Sequence, residues 1–165
     1  GALHDYVIWA TELPGISRAW AFDCWHGLGT VGLAWVYDQR TDIIPTGTDR
    51  ESMQAYLFRH QDPATGTYVG KPGGIEVWPI PLTLKPVPLT IRIIPDTAAI
   101  RSAVTLSLQA LFRSVSPGDT LLLSAIRTAI GSSTGVTDYE LDLTTNQASE
   151  NYELLTLGAI TWRIV

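Results

Sequence analysis

The clearest hydrophobic pattern of the chain lies after residue 95. Apolar residues recur there at the 3.6-residue period of a helix that buries one face, and Pro117-Gly118 ends the run. The positions on this face are Ile100, Val104, Leu108, Leu111, Phe112 and Val115. The other elements predicted in this half are a helix over 122–132 and strands over 87–94, 136–143 and 154–164.

The first part of the chain has a helical pattern followed by strand patterns. Apolar residues predict a short helix over residues 3–13, which the sequence Pro14-Gly15 ends. Two runs rich in tryptophan, valine and tyrosine follow, over 16–25 and 29–37, with glycines between them. Because such runs favour strands and glycine favours tight turns, we expect a β-hairpin.

A capping box predicts where the next helix begins. Thr48 is followed three residues later by Glu51, the spacing at which the two side chains satisfy each other's backbone amides. The sequence therefore predicts a helix near 49–60. Residues 61–74 are rich in glycine and proline, which predicts a loop.

Four prolines interrupt the extended segment over residues 75–94: Pro79, Pro81, Pro86 and Pro88. Proline donates no backbone hydrogen bond, so we expect an edge strand or a crossing between lobes rather than a central strand. We place the boundary near residue 82. Residues 1–82 and 83–165 would then each have about two helices on a three-stranded, mostly antiparallel sheet, which is an α+β fold of two small lobes.

Composition and charge narrow the classes of function. Eleven Lys and Arg against 16 Asp and Glu, for a net charge of −5 over 165 residues, argue against a partner such as nucleic acid or an anionic membrane. Charged residues are 16% of the chain, below the roughly 25% of typical domains, which suggests that part of the surface is meant for burial. The longest apolar run, over 31–37, is far shorter than a membrane span of about 18 residues.

Two short motifs match enzyme signatures in the wrong structural context. The G-x-G-x-x-G pattern over 27–32 would bind a dinucleotide only between a strand and a helix, whereas residues 33–37 favour a strand. The G-x-S-x-G pattern over 131–135 leads from a helix into a strand, the reverse of a hydrolase nucleophile elbow. We interpret the first as a hairpin turn and the second as a helix exit.

The cysteine and histidines provide no convincing catalytic or metal site. Cys24 and His26 share one face of a predicted strand, but a nucleophilic cysteine usually takes its base from a distant segment. A single cysteine forms no internal disulfide and fits a reducing compartment. His4 and His60 have no companions at zinc-ligand spacing. We therefore predict no catalytic residue, no metal and no cofactor.

Six tryptophans are the strongest compositional signal. A small core can absorb two or three of them, and tryptophan is enriched among binding hot spots. Trp25, Trp35 and Trp78 lie nearest to predicted turns and prolines. We predict that these three contribute to an exposed interface.

Several stretches, in this order and spacing, resemble the baseplate J family of contractile-tailed phages and prophages. The first stretches run from Asp5-Tyr6-Val7 to Glu12-Leu13-Pro14-Gly15-Ile16-Ser17-Arg18-Ala19-Trp20, then Gly29-Thr30-Val31. The middle ones are Val87-Pro88-Leu89-Thr90-Ile91, Ile94-Pro95-Asp96-Thr97, Pro117-Gly118-Asp119-Thr120-Leu121 and Gly135-Val136-Thr137-Asp138. The last is Leu157-Gly158-Ala159-Ile160-Thr161-Trp162. Residues 61–74 and the last three residues fit the family pattern poorly.

The resemblance implies a structural role rather than catalysis. It implies the middle and C-terminal portions of a wedge protein of the tail baseplate, without the family's N-terminal portion. The partners would be other baseplate and tail subunits, met in the host cytoplasm during assembly and held in the virion afterwards, and a monomer is the expected state of the isolated chain. A carbohydrate-binding module with exposed tryptophans is the alternative function, and an enzyme ranks third.

Overall fold

In the computed structural model, which describes residues 2–164, the chain divides between Pro81 and Leu82 into two units, Gly1–Pro81 and Leu82–Val165. Two helices and a three-stranded sheet lie in each unit, and the first also has a small hairpin. Among the described strands, antiparallel pairs outnumber parallel ones. The predicted α+β fold of two lobes is therefore confirmed.

The first unit packs two helices against one face of its sheet. Its elements are α1 (Leu3–Glu12), β1 (Arg18–Asp23), β2 (Thr30–Val36), α2 (Gly47–Phe58), β3 (His60–Gln61), β4 (Tyr68–Val69) and β5 (Glu76–Pro79). Strand β2 lies in the centre, antiparallel to β1 and parallel to β5, so the predicted hairpin is confirmed. Alternate residues of β2 form the core with α1 and α2, because side chains in a strand alternate between faces.

Helix α2 begins two residues earlier than predicted. Thr46, not Thr48, is the N-cap, and its hydroxyl accepts a hydrogen bond from the Asp49 amide (3.2 Å). The Asp49 carboxylate in turn accepts a hydrogen bond from the Thr46 amide (2.8 Å), which completes the capping box. Asp49 also accepts from Arg40 (2.6 Å), so a residue outside the helix selects this register over the one with Glu51.

The predicted loop over residues 61–74 contains a small hairpin. His60 pairs with Val69 and Gln61 pairs with Tyr68, which defines β3 and β4. The turn between them is closed because the Gly66 amide donates to the Asp62 carbonyl (2.8 Å). Composition alone indicated a loop because glycine and proline in the turns outnumber the four paired residues.

The second unit has the same layer arrangement with a different chain order. Its elements are β6 (Thr83–Ile94), α3 (Ala98–Phe112), α4 (Leu123–Gly131), β7 (Asp138–Leu141) and β8 (Glu153–Trp162). Strand β6 is central, antiparallel to β7 and parallel to β8. Its buried residues are Val87, Leu89, Ile91 and Ile93, and the buried residues of the helices include Val104, Leu108, Ile126 and Ile130.

The expectation that the proline-rich segment avoids a central strand is wrong for β6. Pro86 and Pro88 both lie in this central strand. The strand tolerates them because β7 pairs only with Ile91–Ile94, so the portion with the prolines has a single neighbour, β8. Pro88 also falls where the register with β8 shifts, at a β-bulge.

Candidate interaction site

The connection between β1 and β2 is a hydrogen-bonded turn that carries Trp25 and His26. The Cys24 amide donates to the Thr30 carbonyl (3.0 Å), and the Thr30 hydroxyl donates to the Gly27 carbonyl (2.7 Å). Gly27 has a φ of +98°, which glycine adopts without steric cost. The G-x-G-x-x-G match is therefore part of a hairpin turn, as predicted, and no helix follows it.

Trp25, His26 and Trp78 form one aromatic cluster beside this turn, which we call the edge cluster. The centroid of the His26 ring lies 4.5 Å from that of Trp25 and 4.3 Å from that of Trp78. Trp78 lies on the edge strand β5 and is 40% exposed, and Trp25 is half-buried. The structure thus places two of the three predicted tryptophans together, in an amphipathic aromatic group of the kind enriched at interfaces.

The backbone of β5 is closed to the addition of another strand. The Glu76 amide donates to the Gly29 carbonyl just before β2 (3.0 Å), and the Ile80 amide just after β5 donates to the Leu33 carbonyl in β2 (2.9 Å). Residues 77 and 79 therefore direct their backbone groups outward. Pro79 has no N–H, and the Gln54 amide group donates to the outward carbonyl of Val77 (2.7 Å). A partner at this edge would therefore bind through side chains, in the open groove of about 500 Å³ beside Trp78.

Trp35 belongs to the core of the first unit. It lies in β2, where every residue is buried, and is 2% exposed. Its indole N–H donates to the Tyr37 hydroxyl (3.2 Å). The expectation that Trp35 is exposed at an interface is therefore wrong. Trp35 is near prolines in the sequence, but two neighbouring strands and two helices enclose its side chain in the fold.

The environment of Cys24 disfavours a reactive thiolate. Partial desolvation and then the neighbouring Asp23 carboxylate raise the pKa of the Cys24 thiol. A catalytic cysteine needs the opposite shift, because the thiolate is the nucleophile. His26 instead uses its ring to contact Trp25 and Trp78.

The serine of the G-x-S-x-G match is engaged inside the second unit. Ser133 is 6% exposed; its hydroxyl donates to the Ala129 carbonyl (2.7 Å) and lies 2.9 Å from the Ser107 hydroxyl. The motif lies at the end of α4, so it is a helix exit, as predicted. Residues 2–164 contain no group of three or more His, Cys, Asp or Glu side chains placed to hold a metal ion. The helices described there are too short or too polar to cross a membrane.

Two exposed aromatic residues were not singled out by the sequence. Phe58 is 71% exposed at the end of α2, and Tyr68 is 64% exposed on β4. The sequence indicates the exposure of Phe58 only indirectly: Phe58 follows the inward-facing Leu57, so it lies off the buried face of the helix. Neither residue belongs to a predicted site, since the segment that contains Tyr68 is predicted to be a loop rather than a hairpin.

Two family models match the chain in succession. The Baseplate J-like central domain matches residues 1–81, and the Baseplate J-like protein C-terminal domain matches residues 87–163. The two matched ranges follow the two structural units closely.

Individual relatives extend the similarity over 98% of the chain. Baseplate protein gp47 of Escherichia phage Mu is 43% identical over 164 residues, which are 46% of that protein. Mu-like prophage FluMu protein gp47 of Haemophilus influenzae is 38% identical over 165 residues, again 46% of its length, and JayE of Escherichia coli K12 is 33% identical over 59% of its length. The chain spans about half the length of these curated relatives. Since both domains match in the family's order, the chain belongs to the baseplate J-like protein family.

Proposed function

We propose that this chain is a structural subunit of the tail baseplate of a contractile phage or prophage particle. Its place is in the wedge, where it acts through protein–protein contacts and catalyses no reaction. The observation that carries this proposal is the match of both units, over nearly the full chain, to a protein named as a baseplate protein of phage Mu.

The surface of the first unit is suited to such contacts. Stable protein interfaces exclude charge from their centres and concentrate aromatic residues there. The edge cluster offers Trp78 and Trp25 beside an open groove, and Pro79 and Gln54 prevent uncontrolled strand addition at the same edge. We propose the edge cluster as a contact surface for another baseplate subunit.

Purification of intact tails from the producing cells tests the proposal. Tails are separated by density-gradient centrifugation, and an antibody against the chain is located by electron microscopy. We expect the chain to sediment with sheath and tube proteins and the antibody to label the baseplate end. A chain that stays entirely with the free cytosolic proteins would contradict the proposal.

Two measurements on the purified chain address the other classes. We expect a monomer by analytical ultracentrifugation, because its partners are other subunits. Calorimetric titration with a panel of oligosaccharides should give no saturable heat. A saturable signal lost in a Trp78→Ala variant would favour the carbohydrate-binding alternative. The matched family and the phage Mu relative, which are named as baseplate proteins, offer no support for that alternative.

A further inference from the structure

A second aromatic surface lies in the first unit, formed by Phe58, Arg59, Tyr68 and Lys71, which we call the Phe58 patch. Both rings are more than half exposed, and an open groove of about 530 Å³ runs between them. Monomeric proteins expose isolated apolar side chains freely, but two large rings around one groove indicate a binding surface.

Backbone contacts hold the Phe58 patch in a fixed shape. The Lys71 amide donates to the carbonyl of Leu57 at the end of α2 (2.7 Å). Gly70 lies directly on the Phe58 carbonyl, so that no side chain would fit between β4 and the helix end. The two rings are therefore carried by a helix and a hairpin that are joined together, and a partner would bind them with little loss of conformational entropy.

Two cations flank the rings. The Arg59 guanidinium lies 4.4 Å from the centroid of the Tyr68 ring, and the Lys71 ammonium lies 6.0 Å from that of Phe58. Within residues 2–164, neither cation forms a salt bridge with a carboxylate. The Lys71 ammonium donates to the Ile75 carbonyl (2.7 Å), but a neutral carbonyl does not cancel its charge. Both cations therefore keep their positive charge on a chain whose net charge is −5.

One carboxylate, that of Asp5, also lines the groove. The Asp5 carboxylate accepts a hydrogen bond from the Ala2 amide at the start of α1 (2.9 Å) and lies 3.3 Å from the His4 ring. A carboxylate in the first turn of a helix is also stabilised by the helix dipole. With two cations against this one carboxylate, the lining of the groove keeps a net positive charge towards an incoming ligand.

We infer that the Phe58 patch docks an acidic segment of a neighbouring protein chain. The segment places an apolar side chain on the rings of Phe58 and Tyr68 and carboxylates against Arg59 and Lys71. Charge complementarity selects this occupant, because an acidic ligand gains from both cations, whereas a basic segment would be repelled. The inference rests on the proposed structural role and names the chemistry of one partner.

A peptide titration tests the chemistry directly. The probe is a nine-residue peptide with a central leucine between glutamates, and the control peptide has glutamine in place of every glutamate. We expect the acidic peptide to shift the amide resonances of Phe58, Tyr68 and Gly70, and to bind about tenfold more tightly than the control. Binding should weaken as salt is raised, since exposed charges are screened.

Charge-matched variants separate this patch from the overall charge of the chain. Arg59→Glu/Lys71→Glu should weaken binding of the acidic peptide by about tenfold or more. Arg50→Glu/Arg127→Glu makes the same change in net charge at two exposed positions elsewhere and should leave binding unchanged. Equal losses in the two variants, or equal binding of both peptides, would overturn the inference.

A photo-crosslinking amino acid at position 68 identifies the occupant in assembled tails. We expect crosslinks from position 68 to an acidic peptide of another protein. The same probe at exposed position 106 is the control and should not crosslink to that peptide. Crosslinks to a neutral or basic segment, or none in tails that contain the chain, would overturn the inference and leave the proposed function intact. Absence of the chain from tails would contradict the proposed function, while the peptide titration still tests the patch.

Discussion

Gly32 lies in the centre of β2, where the packing leaves no room for a side chain. A Cβ atom at this position would lie 2.7 Å from Cδ1 of Ile80 and 2.7 Å from Cγ of Trp25. Carbon atoms pack no closer than about 3.5 Å without strain. Gly32 therefore leaves room for Trp25 to pack directly against the β2 backbone, and this position of Trp25 is the one that creates the edge cluster.

We expect Gly32→Ala to destabilise the first unit by about 1–3 kcal/mol, the cost of overpacking a filled core. The measurement is urea unfolding followed by tryptophan fluorescence. Gly73→Ala is the matched control, because a Cβ at Gly73 would have no neighbour within 4 Å. Equal stability of the two variants would show that the sheet surface near Trp25 is looser than described.

At the scale of single elements, the start of α2 shows how a contact outside a helix selects its register. Both Thr46 and Thr48 precede an acidic residue at capping-box spacing. Only the Thr46 and Asp49 pair is reinforced, because Arg40 donates two hydrogen bonds to the Asp49 carboxylate (2.6 and 3.2 Å). Arg40 lies outside the four-residue span of a capping box, so the sequence pattern does not distinguish the Thr46–Asp49 box from the Thr48–Glu51 box.

We expect Thr46→Ala to destabilise the chain by about 1 kcal/mol, because it removes the N-cap acceptor. Thr48→Ala should change the free energy of unfolding much less, since Thr48 lies inside the first turn. Chemical denaturation of both variants measures the difference. A larger loss in Thr48→Ala would restore the register predicted from sequence.

The contact between α1 and α2 depends on the protonation of Tyr56. The Tyr56 hydroxyl donates to the Glu12 carboxylate (2.5 Å), and its ring stacks on His60 (3.8 Å between centroids). Desolvation, followed by the Glu12 carboxylate, raises the pKa of Tyr56 to about 12. Because the folded pKa is raised, the stabilisation is complete below pH 10 and is lost as the pH rises through 12.

We expect Glu12→Gln to lower the pKa of Tyr56 towards its ordinary value of 10, since the variant removes the negative charge beside the phenol. The measurement is the absorbance change of phenolate ionisation, taken as the difference between each protein and its Tyr56→Phe counterpart. Glu51→Gln, on the exposed side of α2, should leave the midpoint unchanged. An unshifted midpoint in Glu12→Gln would contradict the role of this carboxylate.

At the scale of the whole molecule, the tryptophans differ in how far they are buried. Trp35 is enclosed in the core, whereas the remaining five keep part of their surface accessible. Burial of a large aromatic side chain contributes to stability, and an exposed one contributes mainly to binding. Mutation can therefore separate the contribution of Trp35 to stability from the contact role proposed for Trp78.

We expect Trp35→Ala to destabilise the chain by about 3–5 kcal/mol through cavity formation. Trp78→Ala should change the free energy of unfolding by less than about 1 kcal/mol but reduce incorporation into tails. Thermal unfolding gives the first quantity, and quantitative mass spectrometry of purified tails gives the second. Normal incorporation of the Trp78→Ala chain would remove the edge cluster from the proposed contact surfaces.

Local patterns were sufficient to predict the types of most elements. The helical period after residue 95 and the glycine turn between β1 and β2 act over a few residues, so their consequences are visible without the fold. The α+β class and the family resemblance also follow from the order of such segments. The hairpin over 60–69 was missed because each of its strands has two residues, too few for any period to show.

Features that depend on neighbours distant in the chain required the folded structure. Pro86 and Pro88 argued against a central strand, yet β6 is central, and it tolerates them because β7 pairs only beyond them. Burial of Trp35, rather than its exposure, follows from the packing of β1, β5 and two helices around β2. Periodicity and turn chemistry are local properties of the sequence. The burial of a side chain depends instead on the segments that long-range pairing places against it, and only the three-dimensional packing specifies those segments.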